Sequence, residues 1–329
     1  MSPLEIVGPI WTPTAPPSVE TFAALTLQPI PLLPALMLAI ATWYIASAIR
    51  LWSTGRSWSI TRTISFLSGC LLTAYVLGAG IEGYGYEMFS VFMFQQLMLT
   101  MAIPALLVSG SPGTLLLRST PHHGLGRAVF AVAFAGLRSR FGRLILHPAF
   151  TIPLFLAMFY GVYFTALADR LLASWAGHVA LEAAFLLAGI LFTAPLLSRD
   201  PLPRRETSAG RLVDMFIEMP LHAFFGVIVM TATAPLLRSF SSPPSSWNLD
   251  VLADQGVAGG LAWSFGELPS LIIIMVLMVR WHRDDTRKAA AADRQADRDG
   301  DAELTEYNAY LDRIRSGRPS NAPGTRTTP

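Results

Sequence analysis

Apolar residues along this chain gather in long unbroken runs, rather than in the period-2 alternation of half-buried strands or the narrow stripe of a soluble helix. Seven runs, at residues 31–52, 59–80, 88–109, 149–170, 178–198, 213–237 and 255–281, are each long enough for a helix to cross about 30 Å of hydrocarbon. A backbone in lipid must satisfy its own polar groups, so runs of this length predict helices. The expected fold is an all-α integral membrane protein, a bundle of seven transmembrane helices. Two flanks fall outside it. Residues 1–30 carry Pro3, Pro9, Pro13, Pro16 and Pro17 and predict an irregular external arm. Residues 283–329 turn abruptly charged and Ala-rich, with opposite charges at helical spacing, and predict a solvated helix with a disordered end. The chain thus divides into an arm (1–30), a membrane domain (31–282) and a tail (283–329).

Arginines set the orientation, because short loops rich in Arg and Lys stay on the cytoplasmic side. The first, third and fifth connections hold three (Arg50, Arg56, Arg62), five (Arg118, Arg127, Arg138, Arg140, Arg143) and four (Arg199, Arg204, Arg205, Arg211). The second holds none, the fourth only Arg170 and the sixth only Arg238, while ten basic residues follow from Arg280 onward. The N-terminus is therefore expected outside and the C-terminal tail in the cytoplasm. No basic residue precedes the first run, so the charged start of a cleavable signal peptide is missing and this run is expected to remain as a helix. The long third connection, residues 111–146, mixes Phe, Val and Leu with arginines and predicts an amphipathic helix on the inner leaflet. His122 and His123 within it are adjacent and are read as solvated.

Composition narrows the chemistry. With 52% hydrophobic and 14% charged residues over 329 positions, and a mean hydropathy of +0.46, a soluble domain is excluded. Cys70 is the only cysteine, which rules out thiolate-rich metal sites and disulfides. Lys288, in the tail, is the only lysine, so no retinal-type Schiff base can form within the bundle. No nucleophile, base and oxyanion donor fall into a catalytic pattern, and the chain is not expected to be an enzyme. Its expected partners are lipid and other membrane proteins, with no nucleic acid.

Polar residues inside the runs are costly in hydrocarbon and so carry information. Gln95 and Gln96 stand together in the third run; His178 and Glu182 are four apart in the fifth; Asp214, Glu218 and His222 follow in the sixth; Asp254, Gln255 and Glu267 belong to the seventh. At about 1.5 Å per residue, Glu267 lies roughly 18 Å, His222 roughly 16 Å, Gln96 roughly 12 Å and Glu182 roughly 9 Å below the outer surface. This arithmetic places the polar residues of the third, fifth and seventh runs around the outer half, with His222 closing it below. His178 and His222 sit at unmatched depths, which argues against a bis-histidine haem. Imidazole, carboxylate and thioether remain, so the candidate metal ligands are His178, Glu182, His222 and Glu267, with copper as the metal and Met93, Met98 or Met101 as soft donors. A structural cluster that only locks helices together is the competing reading.

Four stretches, "QQLMLTMAIPALLVSGSPGTLLLR", "FLLAGILFTAPLLSRDPLP", "MPLHAFFGVIVM" and "DQGVAGGLAWSFGELP" followed by "RW", resemble the cytochrome c oxidase assembly factor family of the CtaG, caa3-oxidase type, in the family's order over about residues 30–315. The resemblance implies a seven-helix protein of the bacterial plasma (inner) membrane that helps mature haem-copper oxidases of the respiratory chain, with oxidase subunits as partners and copper handled on the outer side. It also implies a departure. The family often reads His-x-x-Gln-His where this chain has Phe92, Met93, Phe94, Gln95 and Gln96, so Gln95 matches while Phe92 and Gln96 replace two candidate ligands. A further histidine is replaced by Ala183. Either a reduced copper site survives, or the scaffold is kept without metal. The alternatives from the residues are a transporter of a small cation or metal and a structural partner within a respiratory complex.

Overall fold

A computed structural model describes residues 6–121, 124–203, 208–265, 267–299 and 302–316; His122 and His123 lie outside the described residues. Among these the regular elements are helices, and Val7 and Ser174 meet in one isolated bridge. The helices are α1 (Val19–Ala23), α2 (Leu32–Ser53), α3 (Ile60–Val76), α4 (Gly80–Gly85), α5 (Phe89–Leu97), α6 (Ile103–Ser109), α7 (Pro112–Ser119), α8 (Gly124–Arg138), α9 (Arg140–Ile145), α10 (Pro148–Leu156), α11 (Leu167–Leu172), α12 (Trp175–Leu197), α13 (Ser208–Thr231), α14 (Val251–Phe265), α15 (Glu267–Asp299) and α16 (Ala302–Arg315). Two compact units are present, Met1–Leu277 and Met278–Pro329.

Five helices among the described residues are long and apolar enough to cross a membrane: Leu32–Ser53, Phe89–Ser119, Trp175–Leu197, Gly210–Thr231 and Val251–Arg298. The apolar runs at 59–80 and 149–170 fall instead on the shorter helices Ile60–Val76 and Pro148–Gly161. Run 59–80 stops early for a tertiary reason. The chain turns at Gly78, and the Gly80 amide donates to the Ala24 carbonyl at 2.6 Å, drawing the backbone out of α3 and into the short α4. The third run ends as a helix at Ser109; Ser111 then turns into the left-handed region at φ 53°, and α7 follows directly from Pro112 to Ser119.

That third helix is irregular in its middle. A π-helical turn, Met98–Ala102, joins α5 to α6, just ahead of Pro104. Proline has no N–H for the carbonyl four residues back and its ring crowds that carbonyl; widening the preceding turn is one relief. The Leu99 and Thr100 carbonyls face α12 at a residue with no side chain. A methyl group on Gly189 would lie 2.5 Å from the Thr100 carbonyl oxygen and 2.7 Å from the Pro104 ring, so only glycine lets the two backbones approach this closely. The same device joins α13 to α14, where a methyl on Gly226 would lie 2.5 Å from the Trp263 nitrogen.

Residues 6–31 form an ordered arm across one end of the first unit. Val7 accepts from Trp175 N at 2.9 Å and donates to Ala173 O at 3.0 Å. Trp11 and Gln28 exchange two hydrogen bonds, of 2.8 and 3.0 Å. The Tyr84 hydroxyl donates to Ala15 O at 3.0 Å. Each contact satisfies backbone groups that a proline-rich segment cannot pair by itself.

Candidate metal centre

Beneath the arm three ionisable side chains converge. Glu82 from α4 and His178 and Glu182 from α12 offer ligand atoms that all lie within 4.8 Å of one another. His178 is fully buried and the two glutamates are 3% exposed. Nε2 of His178 stands 3.4 Å from Oε1 of Glu182 and 3.7 Å from Oε1 of Glu82. Spacing of four on α12 puts His178 and Glu182 on one face. α4 supplies the third group because its glycines admit neighbours at close range: Gly83 packs on the Trp11 ring and Gly85 on the Gln95 amide.

Gln95 fixes this third carboxylate. Its amide nitrogen donates to Oε2 of Glu82 at 2.6 Å and to the Val76 carbonyl, at the end of α3, at 2.9 Å. Aromatic rings close the sides: Tyr86 stacks on the His178 imidazole with centroids 3.9 Å apart, and the Phe92 ring lies 5.5 Å from it. Burial pushes the Glu82 carboxyl well above the usual carboxylate range; the Glu182 charge adds to this, and His178 and Gln95 pull the other way. The Tyr86 phenol is raised as well, by burial first and then by Glu82 and Glu182. Neither His178 nitrogen nor Oε1 of Glu182 has a hydrogen-bond partner among the described residues, although buried polar groups are almost always paired.

Two crevices reach the cluster. One, narrow, runs past Ile6 and Tyr86 to His178. The other, equally narrow, runs past Gln28 and Pro31 to Glu82 and Glu182, again beside Tyr86. The arm therefore contributes a wall to both.

Of the residues singled out in the sequence, His178 and Glu182 come together here, while His222 and Glu267 stand outside the three-residue group. His222 is buried on α13, its Nε2 3.1 Å from the Ala262 carbonyl oxygen of α14. Glu267 opens α15 and is half-buried. Asp254 and Gln255 hold structure. Asp254 Oδ2 accepts from the Phe89 and Ser90 amides at 2.7 and 3.3 Å and Oδ1 from the Ser90 hydroxyl, capping α5 from another helix. Gln255 binds Leu236 N at 2.8 Å and Ala234 O at 3.2 Å. Gln96 turns away from the cluster, donating to Met158 O at 3.0 Å and accepting from the Tyr163 hydroxyl. Glu82 was missed in the sequence because it belongs to a connection. Its signal was an acidic residue in an arginine-free loop threaded with Gly78, Gly80, Gly83 and Gly85.

A family model described as cytochrome c oxidase caa3 assembly factor matches residues 42–284. An uncharacterized protein of Mycobacterium bovis is 40% identical over 279 residues, covering 83% of this chain and 42% of its own length. A Mycobacterium tuberculosis protein matches to the same extent, and one from Mycobacterium leprae is 36% identical over 284 residues, covering 85% of this chain and 43% of its own. The chain thus spans less than half the length of the curated relatives it matches. No solved structure matches it.

Proposed function

Because the chain belongs to the cytochrome c oxidase caa3 assembly factor family, we propose that it is a non-catalytic membrane factor that matures a haem-copper oxidase by handling copper at the outer side of the plasma membrane. In this reading seven helices span the membrane, the arm lies outside, the tail lies in the cytoplasm, and oxidase subunits are the partners. The arginine distribution supports the orientation, since the basic connections alternate with nearly arginine-free ones as the positive-inside rule requires. Glu82 belongs to the arginine-free second connection, which in this reading lies outside and supports an outer position for the cluster.

The observation that carries the proposal is the buried cluster of Glu82, His178 and Glu182, reached by crevices under the arm. A bundle needing only rigidity would gain more from apolar packing, because burying charged groups costs more than most ion pairs return. Copper here is cargo, and the protein's work is to bind and release it. Deleting the gene and measuring the copper content and assembled amount of the terminal oxidase tests the reading. Oxidase that is scarce or copper-poor is the expected result; fully assembled, copper-loaded oxidase would overturn it.

A further inference from the structure

We infer that Glu82, His178 and Glu182 form a three-ligand site for a divalent cation of the copper(II) and zinc(II) class, with Glu82 as the ligand that completes it. This rests on the assembly reading only for the identity of the cargo, and otherwise stands on the geometry.

The separations are the first argument. At 3.4 and 3.7 Å the imidazole nitrogen is too far from the carboxylate oxygens for good hydrogen bonds. Donors around a small ion bound at about 2.0–2.2 Å lie roughly 3.0–3.5 Å apart, so the His178–Glu182 pair already fits, the His178–Glu82 pair closes with a small shift, and the third pair, the two carboxylate oxygens, lies within 4.8 Å. Burial is the second. His178 is fully buried, yet neither of its nitrogens, nor Oε1 of Glu182 beside it, has a hydrogen-bond partner among the described residues, and Nε2 faces both carboxylates. Unpaired groups in such a place are costly; a shared cation would satisfy Nε2 and both oxygens together. Preorganisation is the third. Gln95 holds Oε2 of Glu82 and leaves Oε1 turned toward His178, as an outer-shell partner orients a ligand.

The donor set selects the ion. Two carboxylate oxygens and one imidazole nitrogen contain no sulfur, which disfavours copper(I). Calcium and magnesium take six or more oxygen ligands, including waters, which a pocket walled by Tyr86 and Phe92 does not favour. Copper(II) and zinc(II) suit mixed nitrogen and oxygen donors, with copper(II) the tighter of the two.

The full chain, purified in detergent and freed of metal, should be titrated separately with copper(II), zinc(II), magnesium and, under reducing anaerobic conditions, copper(I). One equivalent of copper(II) and of zinc(II) should bind, with copper(I) and magnesium at least tenfold weaker. The copper(II) paramagnetic resonance spectrum should show coupling to a single nitrogen. Glu82→Gln, which keeps the shape of the side chain, should weaken copper(II) at least tenfold, and His178→Asn should abolish the nitrogen coupling; Glu87→Gln, a carboxylate outside the cluster, should change neither. Thermal melts establish that each variant is folded. A folded parent that binds no divalent ion, a preference for copper(I), or a Glu82→Gln variant that binds as the parent does would each overturn the site. Binding that holds while the gene deletion leaves oxidase fully copper-loaded would keep the site and overturn the assembly reading instead.

Discussion

Gln95 and Gln96 are neighbours in the chain with different work. Successive residues of a helix point about 100° apart, so one amide reaches the α4 carboxylate and the end of α3 while the other ties α5 to the π-helical turn at Ala157–Gly161 through Met158. Replacing either with leucine removes partners from buried groups, at a cost of about 1–3 kcal/mol, and both variants should melt earlier than the parent in detergent. Their effects on metal should differ. Gln95→Leu releases Glu82 and should weaken divalent-ion binding, whereas Gln96→Leu should leave it unchanged. Titration of both variants checks this, and equal affinities in the two would remove Gln95 from the account. Depth arithmetic could place Gln96 and Glu182 in one half of the membrane, since rise per residue is fixed. It could not say which way each amide turned, because that depends on the neighbouring helix.

At the scale of elements, hydropathy located the apolar helices and missed their ends. Chain termination in lipid is set by what the backbone meets next: α3 stops where Gly80 donates to the arm, and α5 starts where Asp254 of α14 caps it. Neither partner is local, so no window of sequence contains the information. The π-helical turn at Met98–Ala102 was half legible, since Pro104 required some irregularity, but its seat against Gly189 was not. This seat gives a sharp prediction. Gly189→Val forces branched carbons into the Thr100 carbonyl and the Pro104 ring, and should destabilise the bundle by about 1–3 kcal/mol or more, read as a lower melting temperature in detergent. A Gly189→Val protein as stable as the parent would mean that α12 does not pack there.

For the whole molecule, the arginine count predicts that the end holding the Glu82, His178 and Glu182 cluster faces outward. A reporter active only outside the membrane should work when fused after about residue 83 or 245, and fail after about residue 130 or 300, as the positive-inside rule sets the sides; activity reversed at two of these positions would invert the bundle. The all-helical fold was legible because apolar helices are written in composition and run length, and the resemblance because four motifs stand in the family's order. Two of the three cluster residues were legible too, in the spacing of His178 and Glu182. Glu82 was not, because only the folded arm and the glycines of α4 bring that loop against α12. The measurement that tests the central claim most directly is the copper content of oxidase purified from a gene-deleted strain carrying either the parent protein or Glu82→Gln at equal membrane abundance. The account predicts copper-loaded oxidase with the parent and copper-poor oxidase with the variant; oxidase equally loaded by both would contradict it.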